Sequence, residues 1–140
     1  MKQRIHLVLL GVQNLQASVA FYEGLGWKKS PSGNPEFVLF DLGGVVMGLQ
    51  SREAFAADAR FQNGQGQGFP GMALAHVTTT PQEVYKMMER AASLGATIHR
   101  AAGPNPWGHS GYFADPDGHL FEVLYEDGWT FAPEGHLAIQ

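Results

Sequence analysis

Two stretches of the chain carry the same order of elements, and that repetition limits the fold more than any single motif does. In the first, IHLVLLGV reads as a strand, NLQASVAFYEGLGW as a helix, and 27–29, 37–42 and 45–49 as three more strands. In the second, MALAHVTT reads as a strand, TPQEVYKMMERAASLGA as a helix, and 97–100, 110–114 and 120–125 as strands. Both helices carry boundary signals. Asn14 can cap the first, Leu15, Val19, Tyr22 and Leu25 keep helical spacing, and Gly26 stops it. Thr80, Pro81 and Glu83 form a cap, a first-turn proline and a capping box for the second, whose apolar stripe is Val84, Met87, Met88, Ala91 and Leu94 before Gly95. The copies align at Gly26 with Gly95, and again at Asp41 with Asp115 and Gly44 with Gly118, a register that sets Gly48 against Glu122. The expected fold is α+β, one domain over 1–140 made of two tandem βαβββ modules. Module 1 spans about 4–50, a linker loop about 51–70, module 2 about 71–125, and a C-terminal tail 126–140.

The segment DPDGHLFEVLY raises the chemical question. Read with a period of two, His119, Phe121, Val123 and Tyr125 line one face of a strand, and Leu120, Glu122 and Leu124 the other. A carboxylate between two leucines would lose several kcal/mol in desolvation unless a cation, a proton or water meets it. Arg100, His109 and Tyr112 are its candidate partners, and burial there would raise the carboxyl pKa toward the range of a general acid or base. In AAGPNPWGHSGY, Trp107, His109 and Tyr112 offer flat apolar surface with polar tips, suited with Arg100 to a small organic ligand. DPDG itself reads as a turn, with Pro116 fixing φ, Asp117 accepting backbone bonds and Gly118 in the left-handed region. GQGQG at 64–68 lacks the lysine and following helix of a phosphate loop. Trp129, Phe131 and Leu137 suggest a tail that lies down as an apolar strap.

Composition removes several function classes. With no cysteine, neither disulfides nor thiolate metal sites nor a thiol nucleophile are available, and any metal would need histidine and carboxylate ligands. A net charge of -4 and a pI near 5.8 leave no basic stripe for nucleic acid. The apolar run from Ile5 to Leu10 is too short for a membrane span and lacks a cleavage pattern, so a cytoplasmic protein is expected.

The runs VQNLQASVAFYEGLGWK, LAHVTTTPQEVYKMMERAASLGA and above all SGYFADPDGHLFEV resemble the vicinal oxygen chelate superfamily, which holds glyoxalase I, bleomycin-resistance proteins, fosfomycin-resistance enzymes and extradiol dioxygenases; the resemblance spans residues 4 to 125. It implies a half-open barrel around a cavity, often in a homodimer, with a divalent ion held by the first and last strands of each module. Carried over, those ligand places fall on Leu7, Gly48, Ala73 and Glu122, of which only Glu122 can coordinate. The leading expectation is therefore a cavity protein that binds a small molecule without a cofactor, Glu122 being its catalytic candidate. A second reading is a metal-dependent lyase or dioxygenase using His6, His76 and Glu122 as a 2-His-1-carboxylate set. Strand parity opposes it, because a one-residue step from Leu7 to His6 turns the side chain to the other face. A third reading is a dimer that sequesters a cationic drug.

Overall fold

Which face of each sheet is covered follows from where the apolar residues recur along the strands. The computed structural model describes residues 1, 3, 5–60, 68–70 and 72–138. In chain order these form β1 (Leu7–Val12), α1 (Leu15–Gly24), β2 (Gly33–Asn34), β3 (Phe37–Asp41), β4 (Val46–Ser51), α2 (Arg52–Asp58), β5 (Leu74–Val77), α3 (Pro81–Ser93), β6 (Thr97–Asn105), β7 (Gly108–Ala114), β8 (Leu120–Glu126), β9 (Thr130–Phe131) and β10 (Leu137–Ala138). Contacts divide the chain into two units, Met1–Gly68 and Phe69–Gln140. The first holds a sheet of order β1-β4-β3-β2, the second a sheet of order β5-β8-β7-β6. In each, the first strand runs parallel to the last, and the other pairs are antiparallel. The repeated pattern in the sequence is thus one βαβββ topology built twice. Most of GQGQG lies outside the described residues, and the segment before it forms α2, capped by Ser51.

In the first unit, Leu10 and Val12 of β1, Val38 and Phe40 of β3, and Met47 and Leu49 of β4 are buried together with Phe21 and Tyr22 of α1. Asn14 caps α1 by accepting the amide of Ala17 at 3.0 Å. The strand expected at 27–29 does not form. Gly26 turns the chain at a φ of 102°, and the Trp27 amide goes to the Tyr22 carbonyl at 3.2 Å, so it is unavailable to a strand ladder. The Trp27 ring then stacks on Tyr22 at 5.3 Å, which trades pairing for aromatic burial. The edge strand is the two-residue β2 instead.

The second unit repeats the arrangement with different side chains. The Thr80 hydroxyl accepts the Glu83 amide, and the Glu83 carboxylate reaches back to Thr80, closing the expected capping box. Val84, Met88 and Ala91 of α3 are buried, as are Phe113 of β7 and Phe121 and Val123 of β8. The Phe113 and Phe121 rings lie parallel, 5.1 Å apart. Gly111 sits under Met88, where an added Cβ would come within 2.9 Å of the Met88 methyl, so α3 covers the face that carries residues 111, 113, 121 and 123. β6 outruns its expected end at 100 because bulges on both sides of Arg100 let the strand bend and continue to Asn105. The tail forms a small hairpin of β9 and β10, with Phe131 paired to Leu137. Among the described residues, no helix is long and apolar enough to cross a membrane.

Candidate functional site

Glu122 is placed by strand pairing. On β8 it lies beside Ala75 of β5 on one side and Tyr112 of β7 on the other, and Tyr112 pairs onward with Arg100 of β6. Cross-strand partners share a face, so Ala75, Glu122, Tyr112 and Arg100 form one row on the side of the sheet opposite α3. Leu120 and Leu124 flank Glu122 on that face, and all three are half-buried.

The carboxylate has a phenol on the neighbouring strand. The Tyr112 pKa lies above the ordinary tyrosine value, first through desolvation and then through the neighbouring Glu122 carboxylate, which disfavours the phenolate. Arg100 pulls the other way, its guanidinium carbon 5.0 Å from the centroid of the Tyr112 ring. Arg100 Nη2 also donates to the buried hydroxyl of Ser110, which accepts the Asn105 side-chain amide at 2.9 Å. Ser110 and Asn105 were not among the residues singled out by sequence. Ser110 shares the parity of Tyr112, and Asn105 precedes a proline in a turn, so the signal was there. Asn105 fixes that turn by accepting the amides of Trp107 at 2.9 Å and Gly108 at 2.8 Å.

The remaining candidates sit elsewhere. His109 alternates to the α3 face, where its Nδ1 lies 2.9 Å from the Tyr85 hydroxyl, so it does not join Glu122. Trp107 tips the turn between β6 and β7 and is 65 % exposed. His76 pairs with Val123 and therefore also faces α3, which separates it from Glu122 and takes apart the proposed ligand set of His6, His76 and Glu122. Although much of its surface is open, desolvation by neighbouring groups lowers the His76 pKa, against a smaller upward pull from Glu83. His6 lies in the first unit just before β1, exposed, with its carbonyl taking the Val46 amide at 3.0 Å.

The first unit offers no counterpart to Glu122. Its equivalent row is Leu9, Gly48 and Leu39. A Cβ at Gly48 would stand 2.7 Å from the Phe37 ring and 3.0 Å from a Leu9 methyl, so the place of a ligand side chain is already filled by apolar groups. Ala75 is the strand neighbour of Glu122, and Ala73, the expected ligand place, lies two residues before it, as Leu7 lies two before Leu9, the neighbour of Gly48; neither alanine can coordinate. The family's divalent ion does not fit these residues. Among the described residues a different cluster, Asp115, Asp117 and His119, gathers donor atoms within 4.8 Å of one another. Its atoms are engaged in the turn: Asp115 Oδ1 accepts the amides of Asp117 at 3.0 Å and His119 at 2.8 Å, and Oδ2 meets His119 Nδ1 at 2.8 Å. An open groove of about 630 Å³ also runs between α1 and segment 29–35 in the first unit, past Val19, Glu23, Lys29 and Asn34, and sequence reasoning had not singled it out.

A model of the Glyoxalase/Bleomycin resistance protein/Dioxygenase superfamily matches residues 4–123. Among solved structures, a glyoxalase-related enzyme from Fulvimarina pelagi is 32% identical, superposes with a TM-score of 0.87, and the match covers 98% of each chain. A glyoxalase/bleomycin resistance protein/dioxygenase family enzyme from Burkholderia phytofirmans PsJN matches at 23% identity and a TM-score of 0.75, over 88% of this chain and 98% of that one. A lactoylglutathione lyase from Agrobacterium tumefaciens matches at 22% identity and a TM-score of 0.67, over 94% of this chain and all of that one. At such identities the last two speak for the fold alone.

Proposed function

Because the chain belongs to the Glyoxalase/Bleomycin resistance protein/Dioxygenase superfamily, we propose that it binds a small organic molecule against the face of the second sheet that carries Glu122, Tyr112 and Arg100, and that it does so without a divalent ion. The observation that supports this is the row itself. A half-buried carboxylate has a phenol beside it on one neighbouring strand and an alanine on the other, which leaves room for a donor group of a ligand. In this reading Glu122 accepts a hydrogen bond or a proton from that molecule, and Tyr112 keeps the carboxylate oriented. The metal-free half of the reading draws on Gly48, where the Phe37 ring and Leu9 stand in place of a ligand. The reading takes the protein as a cytoplasmic homodimer, which sedimentation at several concentrations would check.

Two measurements test it. Melting curves of protein purified without chelator, titrated with Fe(II), Mn(II), Ni(II) and Zn(II), should show no stabilisation. A dedicated site at a thousandfold excess over Kd would add about 4 kcal/mol, and such a shift with any of these ions would end the metal-free reading. A thermal-shift screen of small organic molecules should then return compounds whose effect disappears in Glu122→Gln. Hits that act equally on the variant would move the site off this row.

A further inference from the structure

Arg100 is the feature of this face that the proposed function leaves unused. Among the described residues on the strands of the second sheet, it is the only lysine or arginine. No carboxylate among the described residues lies within ion-pairing distance of it. Its guanidinium is nonetheless held in place, by the Tyr112 ring beneath and by the Ser110 hydroxyl, which Asn105 anchors in turn. A guanidinium has five donors in a rigid fork, and Ser110 takes one of them, so the exposed edge can still receive a bidentate anion. Pre-organisation matters here, because an arginine already fixed loses less side-chain freedom when an anion arrives.

Glu122 bounds the other end of the same row. Arg100 and Glu122 lie on β6 and β8 with β7 between them, so their strands are two spacings apart, roughly 10 Å. From these positions we infer that the molecule bound on this face is a small monoanion, its acid group seated on Arg100 and its hydrogen-bond donor, such as a hydroxyl, directed toward Glu122. The inference rests on the reading of this face as the ligand site and adds the ligand's charge class. Glu122 would discriminate against a second negative charge, since an extra carboxylate at that end meets another carboxylate in half-buried surroundings. The Tyr112 ring between the two ends provides the apolar floor for the carbon skeleton.

Glycolate, lactate and 3-hydroxybutyrate, each with its primary amide, are suitable probes, with succinate as the dianion. Their affinities for the full-length protein can be read from backbone amide shifts of Arg100, Ser110, Tyr112 and Glu122 by NMR. At least one of the acids should saturate these shifts, with its amide and succinate each weaker by about tenfold or more. Arg100→Gln should erase the preference of acid over amide, and Arg100→Lys, which keeps the charge but loses the fork, should retain part of it. Equal affinity of acid and amide, survival of the preference in Arg100→Gln, or no saturable binding of any acid would overturn the inference. Amides that bind on this row as well as acids do would remove the anion but keep the small-molecule site. Shifts confined to residues away from the row would remove both.

Discussion

The two sheets of this chain share a topology and a covered face, and they part company on the other face. Toward the helices, each is apolar: Phe40, Met47 and Leu49 under α1, and Phe113, Phe121 and Val123 under α3. Away from the helices, the central row is Leu9, Gly48 and Leu39 in the first sheet, and Ala75, Glu122, Tyr112 and Arg100 in the second. The helix side must exclude water to hold the unit together, so both copies answer that demand in the same way. The opposite side carries no such demand, and it is there that one copy has become apolar and the other polar. Chemistry in a duplicated scaffold is to be sought where equivalent positions differ.

The largest expected difference between the copies lies in their turns. Asp115 is 2 % exposed and its carboxylate accepts two amides and meets His119, whereas the equivalent Asp41 is exposed and its Oδ1 accepts the amide of Gly43 at 2.9 Å. Asp115→Ala would leave buried donors without a partner and should lower stability by about 3 kcal/mol, while Asp41→Ala should cost about 0.5 kcal/mol. Urea unfolding of both variants decides the matter. Equal losses would mean that the turns are equivalent and that the divergence is confined to the sheet faces.

Gly48 sharpens the contrast next. A methyl group there would press on the Phe37 ring and Leu9, and Gly48→Ala should cost roughly 1–3 kcal/mol by overpacking. In a Phe37→Ala background the same change should cost distinctly less, because the ring is gone and only the Leu9 methyl has still to give way. If Gly48→Ala were harmless in the natural background, the first unit could have kept a ligand side chain, and the argument against the ion would weaken.

The legible parts of the sequence were those set by short-range chemistry. Caps and left-handed glycines follow from which backbone groups a helix end leaves unsatisfied, and Asn14, Gly26, Thr80 and Gly95 all stand where that logic put them. Parity along a strand is equally local, so Glu122 and Tyr112 were correctly assigned to surfaces that could meet. What one strand does not reveal is its partner's register. That Ala75 is the residue beside Glu122 is information of that kind, whereas grouping His109 with Tyr112 overlooked parity itself, since three residues along one strand reverse the face. Trp27 shows the opposite limit, a residue with strand propensity whose ring found a better place on Tyr22.

The helix caps offer a smaller test of the same comparison. Asn14 and Thr80 each accept one amide, but only Thr80 is answered by a carboxylate, that of Glu83. Thr80→Ala and Asn14→Ala should each lose about 1 kcal/mol. Only the second unit's cap should respond to acid. The Glu83 pKa is lowered, above all by the Thr79 amide, so its stabilisation is present above the unfolded pKa and is lost as pH falls through the folded one. Following α3 and α1 amides by hydrogen exchange across acid pH should show early fraying at α3, and that difference should vanish in Glu83→Gln.

The smallest effect concerns the row itself. With its pKa raised, Tyr112 contributes stability that is fully present below the unfolded tyrosine pKa and is lost as pH rises through the folded value. Ultraviolet titration of the protein against Tyr112→Phe isolates this phenol from the other tyrosines. Glu122→Gln removes the negative charge but leaves the surroundings that desolvate the ring, and desolvation is the larger cause. The Tyr112 pKa should therefore fall only part of the way toward the ordinary value. A complete return would make the carboxylate the dominant influence, and no change at all would mean that the phenol and Glu122 do not touch in solution, leaving the second sheet with a carboxylate as unaccompanied as the first sheet's glycine.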